Sequence, residues 1–429
     1  MLEKLFSLRQ NGTTIRTEII AGLSTFLTMS FIIAVNPGIL SDAGIEFAAA
    51  FMATIIATVV GTAIMGFYAR WPVAVAPGMG LNAFFAYVVV LGYGFTWQQG
   101  LTAVFVSSLL FFIFSISRLR AWLLESIPSA LQAGITAGIG LFLAMIGLTS
   151  AGIIISNPDT IVGLGTLNAP ELWLAALGLL LIAGLEYRGM KGGILAGILI
   201  VSAIGWATGL APFAGIAGAP PVASAAFALD FSAVTSPAFI SVVFVMLFVD
   251  FFDTTGTLSA VSEIAGKRRK DGSIENINKA VVADTSASLV GALAGTSNMT
   301  TYLESAAGIK AGGRTGLTAI VIALLFASCI FFEPLFASIP AFATAPALVF
   351  VAANFLSSLR RVEWDDLAQA VSVMVIALIM PLTFSIAAGI AFGFITFAAM
   401  KLIAGKKDEI SAGLWTIIAF AVIWLYLSA

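Results

Sequence analysis

The 429-residue chain contains no histidine and a single cysteine, and only 10% of its residues are charged. A lone cysteine cannot form an intrachain disulfide, and Cys329 lies in an apolar run, so core packing is its expected role. Without histidine, any proton that the protein carries must ride on a carboxylate, or on a lysine or tyrosine. The 20 basic residues are scattered along the chain, which leaves no electrostatic footprint for DNA or RNA.

Hydrophobic residues make up 60% of the chain, and the mean hydropathy is +1.06. A soluble core of this length cannot hide so much apolar surface. The composition therefore predicts an all-α protein that crosses a membrane many times. Residues 1–18 carry several charges and lack the apolar core and cleavage site of a signal peptide, so we expect a short cytoplasmic amphipathic segment there.

Apolar runs near the roughly 20 residues needed to cross a bilayer recur in two groups of seven. A connection rich in proline, alanine and glycine separates the groups at residues 211–237 and is predicted to be extracytoplasmic. The first group is expected at residues 19–37, 47–68, 70–90, 98–117, 128–148, 171–187 and 192–210. The second group is expected at residues 238–260, 279–294, 297–310, 315–337, 342–357, 366–381 and 383–400.

The distribution of lysine and arginine agrees with this count, because cytoplasmic loops are enriched in both. With the N-terminus inside, every basic turn is cytoplasmic: Arg70, Arg118 and Arg120, Arg188 and Lys191, Lys267 to Lys279, Lys310 and Arg314, Arg360 and Arg361, and Lys401 to Lys407. Seven spans per group is an odd number, so the groups have opposite orientations, as in an inverted repeat. The predicted repeats are residues 19–210 and 238–404, followed by an apolar segment, 405–429, which either crosses the membrane or lies at its surface.

Two spans, the third and the tenth, are interrupted by glycine, proline and polar residues. The third contains APGMGLNAF at 76–84, and the tenth contains GTSNMTTYLESAAG at 295–308. Non-helical backbone at membrane depth is tolerated where it is buried in protein or lines a cavity. Broken segments at corresponding positions of two repeats therefore point to the binding site of a transporter.

Two aspartates, Asp250 and Asp253, lie in the middle of the eighth span. Asp250 is expected about 18 Å into the membrane at about 1.5 Å per residue, and Asn82 and Glu304 fall at comparable depths. Charges inside a membrane are costly, so by default they mark a site. A spacing of three places both aspartates on one face of the helix. These residues predict a midplane pocket between the eighth span and the two broken segments.

Two rival functional classes accompany this interpretation. Two intramembrane aspartates are also found in aspartyl proteases, but Asp250 and Asp253 are too close in sequence to come from opposing spans. A channel or uniporter would share the fold, although its transport would not respond to a proton gradient. Asp284 and Glu263 are expected near the cytoplasmic ends of their spans, in solvated or capping roles.

Several long motifs occur in order along the chain: FLTMSFIIAVNPGIL (26–40), APGMGLNAFFAY (76–87), LFVDFFDTTGT (247–257), the stretch at 283–319 and MPLTFSIAAGIAFGF (380–394). Together they resemble the AzgA-like purine permeases, a branch of the nucleobase/ascorbate (nucleobase–cation symporter-2) superfamily. The resemblance covers essentially the whole chain. It implies proton-coupled uptake of purine bases by alternating access, with hypoxanthine or guanine favoured and adenine as the alternative.

The same resemblance implies 14 spans in two inverted sevens. It further implies a core domain of spans 1–4 and 8–11, a gate domain of spans 5–7 and 12–14, and a homodimer through the gate. It implies that no cofactor or metal is needed, because the proton gradient supplies the driving force. The expected location is the cell (inner) membrane, with the N-terminus in the cytoplasm.

The resemblance assigns the substrate site to Asn82, Asp250, Asp253 and Glu304, which the spacing had already singled out. A purine presents N–H donors and ring-nitrogen acceptors, which carboxylates and an amide can meet. We hypothesise that Glu304 and Asp250 accept base N–H groups or mediate proton coupling, that Asn82 offers its amide, and that Asp253 supports the site. Further candidate contacts to the base are Gly80, Phe84, Phe251 and Thr301.

Overall fold

The computed structural model describes residues 2–116, 126–269 and 273–428. Within these ranges, nine helices are long and apolar enough to cross a membrane, and three shorter apolar helices accompany them. The predicted class, an all-α protein with many membrane crossings, is therefore confirmed. The total of 14 spans stays a prediction.

The first half of the chain begins with a short amphipathic helix and continues with apolar helices. The predicted first span is two helices, separated at Ser30 and Phe31. The helices are α1 (Leu2–Phe6), α2 (Ile15–Met29), α3 (Ile32–Asp42), α4 (Phe47–Ile64), α5 (Met79–Ala83), α6 (Trp97–Ser115), α7 (Ser129–Ser150), α8 (Pro170–Tyr187) and α9 (Gly193–Ala207). Turns of π-helix extend α4 at Met65–Ala69 and α5 at Phe84–Val90. The strands are β1 (Val75–Pro77), β2 (Ile154–Asn157) and β3 (Ile161–Leu164).

The second half contains one strand, β4 (Met299–Thr301), among the residues described there. Its helices are α10 (Pro237–Ile264), α11 (Ile277–Ala294), α12 (Ser305–Lys310), α13 (Gly316–Ser328), α14 (Glu333–Ala337), α15 (Ala341–Leu356), α16 (Leu367–Thr383), α17 (Ile386–Ile403) and α18 (Ala412–Ser428). Local sequence explains where α10 begins, since Pro237 occupies its first turn and the Ser236 hydroxyl accepts the Phe239 N–H at 3.2 Å.

The two broken segments meet at the centre of the molecule. Strands β1 and β4 pair antiparallel, with Val75 opposite Thr301 and Pro77 opposite Met299. The Gly78 N–H donates to the Asn298 carbonyl at 2.9 Å. These hydrogen bonds pair backbone N–H and C=O groups of the extended segments, for which lipid offers no partners. We call the paired strands β1 and β4 the strand crossing. Because these strands are antiparallel, α5 and α12 leave the strand crossing in opposite directions. The predicted broken spans are thereby confirmed.

Contacts between turns bring several basic turns of the chain together at one end of the molecule, which we call the basic face. The Trp71 indole donates to the Glu275 carbonyl at 3.2 Å, and the Lys279 ammonium lies 5.9 Å from the centre of the Tyr68 ring. The Thr13 hydroxyl reaches the Gly312 carbonyl at 3.5 Å. Arg118, Arg120 and Lys270, which the sequence also places on cytoplasmic turns, lie outside the described residues.

The helices pack in two groups. In the core group, α11 packs on α4 and α6, α13 packs on α2 and α4, and α10 packs on α6. In the gate group, α7 packs on α15 and α16, α16 packs on α17, and α8 packs on α9 and α15. Each group draws helices from both halves of the chain. The strand crossing belongs to the core group, since β1 contacts α4 and β4 contacts α11.

A buried carboxylate joins the first helix of the core group to a much later one. Glu18 of α2 is wholly buried and lies at the start of α13. It accepts the Arg314 N–H at 2.9 Å, the Thr315 hydroxyl at 2.9 Å and the Thr318 hydroxyl at 2.6 Å. A helix N-terminus favours a negative charge. These bonds fix α2 against α13.

The gate group has an ion-pair cluster at its basic end. The Lys401 ammonium is 2.9 Å from the Asp366 carboxylate and 2.7 Å from the Glu409 carboxylate. The hydrogen bond from Lys401 lowers the pKa of both acids below their ordinary values. Lys401 thereby links the start of α16 and the end of α17 to the segment that precedes α18.

Candidate functional site

The chain around β4 sends alternate side chains toward two neighbouring helices. Asn298 faces α10, where its amide nitrogen donates to Asp250 at 3.1 Å. Thr301 faces α11, where its hydroxyl donates to Asp284 at 3.2 Å. The alternation of side chains along an extended chain explains this division. Thr300, on the same side as Asn298, has its hydroxyl beside Asp253 but outside hydrogen-bonding geometry.

Four polar residues form a buried cluster at the strand crossing, and we call them the enclosed cluster: Asn82, Asp250, Ser297 and Asn298. None is more than 1% exposed. The Ser297 hydroxyl donates to the amide oxygen of Asn82, and Asn298 donates to Asp250. The crossing therefore joins the Asn82 of α5 to the Asp250 of α10 through two successive residues.

Three buried atoms of the enclosed cluster have no hydrogen-bond partner: the second carboxylate oxygen of Asp250, the amide oxygen of Asn298 and the amide nitrogen of Asn82. An unsatisfied buried polar group costs about 1–3 kcal/mol. Two acceptors and one donor in one place are thus suited to a polar ligand that carries complementary groups. The sequence predicted Asn82 and Asp250 as site residues, and the structure brings them together.

Asp284 corrects one expectation from the sequence. It is wholly buried and not solvated. Its carboxylate accepts the Thr254 hydroxyl at 2.5 Å and the Thr301 hydroxyl at 3.2 Å, so it joins α10, α11 and β4. Since α11 begins at Ile277, Asp284 lies two turns inside the helix. Glu263, by contrast, is exposed on the last turn of α10, as expected.

Asp253 and Glu304, which we call the open pair, differ from the enclosed cluster because both side chains are partly exposed. Glu304 directly precedes α12, and its backbone carbonyl accepts the Thr28 hydroxyl at 3.4 Å. Asp253 lies within electrostatic range of Asp250, Asp284 and Glu304. Glu304 is therefore not bonded into the enclosed cluster.

The four further candidates have other partners in the structure. The ring of Phe251 packs with Phe111 and Phe252, at centroid distances of 5.7 and 5.1 Å. Phe84 is buried, and Thr301 is bound to Asp284. A Cβ atom at Gly80 would lie 2.6 Å from the Ile139 side chain of α7. The glycine thus allows close packing between the core and gate groups.

Sequence reasoning missed Asn298 and Ser297 as side-chain contributors. An isolated asparagine or serine in a broken span is a weak signal, because either can cap a helix or bond to local backbone. Their roles follow from the register of β1 and β4, which no local pattern specifies. The signal for Asp284 was available, since the rule for intramembrane acids applied to it equally.

Comparison with known proteins assigns the chain to a family over nearly its full length. Residues 16–426 match the Permease family. The chain belongs to this family. The permease is 42% identical to adenine permease AdeP of Escherichia coli, over 96% of this chain and 93% of that protein. It is 41% identical to guanine/hypoxanthine permease PbuO of Bacillus subtilis, over 98% of each chain. The predicted resemblance to the nucleobase/ascorbate transporters is thereby confirmed.

A solved structure shares the fold of the permease. The transmembrane domain of the cyanobacterial bicarbonate transporter BicA aligns with a TM-score of 0.65 at 17% identity, over 90% of this chain and 96% of that domain. At this identity the likeness concerns the fold alone. It confirms the predicted inverted-repeat class. The family consists of membrane transporters, so the aspartyl protease interpretation is wrong.

Proposed function

We propose that this permease takes up purine nucleobases together with protons, by alternating access. The similarity to AdeP and PbuO, whose names specify purine bases, supports the substrate class. The enclosed cluster is the observation that carries the proposal. Its two unpartnered acceptors and one unpartnered donor suit a 6-oxopurine, which presents N–H groups and a carbonyl oxygen.

The base would bind at the enclosed cluster and be reached from the open pair. Asp250 would accept a base N–H, Asn82 would donate its amide to the base, and Glu304 would contact the base from the exposed side. Acids in a low-dielectric environment repel one another, so a base N–H group or a proton placed among them is stabilised. Asp253 is near Asp250 and Glu304, and in this proposal the open pair, Asp253 and Glu304, takes up and releases the proton.

Transport would move the core group against the gate group. The spans would form the predicted core domain (1–4 and 8–11) and gate domain (5–7 and 12–14), with a homodimer through the gate. The basic face would be cytoplasmic in the inner membrane, because lysine and arginine are retained on that side. The close approach of Gly80 to Ile139 lies between the two groups and would change during each cycle.

Uptake by proteoliposomes tests the proposal. Radiolabelled hypoxanthine and guanine should accumulate when the outside is acidic, and uracil should not. A protonophore should abolish the accumulation. Failure to transport any purine would overturn the substrate class. Equilibration without accumulation would instead favour the uniporter.

Adenine is the second candidate substrate, because AdeP and PbuO are similar to this chain to almost the same degree. An adenine exocyclic amine takes the place of the carbonyl, so the Asn82 donor would lose its partner. We therefore expect unlabelled hypoxanthine to compete with labelled guanine about tenfold better than adenine does, the effect of about one hydrogen bond. The reverse order of competition would assign the permease to adenine.

A further inference from the structure

A turn of the gate group touches the core group on the basic face. This gate turn, residues 188–192, connects α8 to α9. The Lys191 ammonium donates to the Ser24 hydroxyl of α2 at 2.7 Å. Gly192 has a φ of +79°, and a Cβ atom there would lie 2.9 Å from the Leu27 carbonyl. Since only glycine tolerates both conditions, the backbone of the gate turn packs directly on α2.

The contact surface of α2 continues to Glu304. Thr28, the residue after Leu27, donates to the Glu304 carbonyl at 3.4 Å. Ser24, Leu27 and Thr28 lie on successive positions of one face of α2, because residues three and four apart share a face. The gate turn and Glu304 are therefore neighbours on a single helical turn of α2.

Glu186, in the last turn of α8, adds a carboxylate from the gate side. Its side chain lies against Gly193, at the start of α9. One of its oxygens would lie 2.8 Å from a Cβ at Gly193. Glu186 is also within electrostatic range of Glu304. Two acids, one from each group of helices, thus lie near the contact between the gate turn and α2.

Other charged groups near Glu186 are few among the described residues. Its own segment carries Arg188 and Lys191, and Lys191 is engaged with Ser24. Helix α9 has no charged residue. On α2, Glu18 is bound to the start of α13. From the core group, Glu304 and Asp253 contribute negative charge, and Lys310 ends α12.

We propose that Glu186 is a positioning residue that couples the charge of Glu304 to the approach of the gate group. When Glu304 is charged, repulsion from Glu186 opposes closure of the gate turn on the core group. When Glu304 holds a proton or a base N–H, the repulsion falls and the turn can close. Lys191 offsets part of the negative charge. The inference rests on the proposed role of Glu304 in proton-coupled uptake.

The test is the pH dependence of uptake in proteoliposomes. Glu186→Gln removes a negative charge beside Glu304, so protons bind there less favourably. The pH of half-maximal uptake should fall, by about 0.5–1 unit for one nearby charge. Lys191→Gln removes a positive charge and should shift the profile in the opposite direction. Glu186→Asp keeps the charge and should keep the wild-type profile.

A matched control is Glu171→Gln, which removes an acid from the opposite end of α8 and should leave the profile unchanged. A merely structural role for Glu186 would lower the maximal rate and leave the pH profile in place, and that result would overturn the inference. So would shifts of the same sign in Glu186→Gln and Lys191→Gln. Wild-type uptake that ignores pH would instead contradict the proposed function, so the two failures are distinguishable.

Discussion

The two aspartates of α10 are one helical turn apart and lie in different surroundings. Asp250 is enclosed and accepts a bond from Asn298, while Asp253 is partly exposed and lies beside Glu304. An enclosed acid with one unpartnered oxygen can fix the orientation of a ligand, whereas an acid that water can reach can exchange a proton. Two acids of the same type, one turn apart on one helix, thus differ in their contact with the strand crossing, and the proposed function assigns binding to Asp250 and coupling to Asp253 on that difference.

The largest effect should come from the enclosed cluster. Asp250→Ala removes the carboxylate that Asn298 bonds and that the base would meet. We expect uptake to fall about 100-fold, since hydrogen bonds to a charged group contribute about 1.5–3 kcal/mol. Radiolabelled uptake, normalised to the amount of protein in the membrane, measures this. Asp159→Ala, on the exposed β2–β3 hairpin, is the control, and uptake near the control value would make Asp250 a structural residue.

Replacement of Asp253, the aspartate of the open pair, by asparagine should separate substrate binding from proton coupling. Asp253→Asn keeps the shape of the side chain but cannot carry a proton. The variant should bind guanine within about threefold of the wild type, a difference below 1 kcal/mol, and should lose accumulation driven by a pH gradient. Calorimetric binding in detergent and uptake in liposomes measure the two properties. If Asp253→Asn still accumulates substrate, another carboxylate carries the proton.

Asp284 is bonded to Thr254 of α10 and Thr301 of β4, so its substitution should mainly affect stability. Asp284→Ala leaves the Thr254 and Thr301 hydroxyls buried without their acceptor. The free energy of unfolding should decrease by about 3 kcal/mol, the cost of two lost bonds to a charged group. Thermal unfolding of the purified protein in detergent reports the change. A melting temperature equal to that of the wild type would show that the three elements do not depend on this acid.

The smallest effect is expected far from the crossing, at the gate-group ion pairs. Because Lys401 lowers the pKa of Asp366 in the folded protein, Asp366 stabilises the fold above its unfolded pKa, near 4, and the contribution is lost as the pH falls further. For a partly exposed pair the contribution is about 1 kcal/mol or less. Melting curves of Asp366→Asn and the wild type should differ slightly at pH 7 and converge near pH 3; a constant gap would contradict the pairing.

Sequence reasoning reached the class of fold and the broken spans because both follow from local properties. Glycine, proline and asparagine at 76–84 and 295–308 interrupt apolar runs wherever the partners lie. Depth along a helix also follows from residue count, which placed Asp250 near the midplane. The contacts across the crossing could not be obtained in this way. They depend on the register of β1 against β4, which pairs residues more than 220 positions apart, such as Val75 with Thr301.

The role of Asp284 was also not predicted from the sequence. Its helix was predicted to begin at residue 279, which placed Asp284 near the end of a span, while α11 begins at Ile277 and Asp284 is buried. A shift of two residues along a helix moves a side chain by about 3 Å. The burial itself follows from the packing of α11 against α10 and β4, which the local sequence does not specify.

The pairing of β1 with β4 also bears on how the chain is made. Each strand comes from a different half of the sequence, so neither half can satisfy the backbone of its own broken span. Glu18 has the same dependence, because its partners at Arg314 and Thr318 are synthesised some 300 residues later. During biosynthesis, the first broken span and helix α2 must remain in the membrane or the insertion machinery until their partners are made. The core group can only close once the ribosome has passed α13.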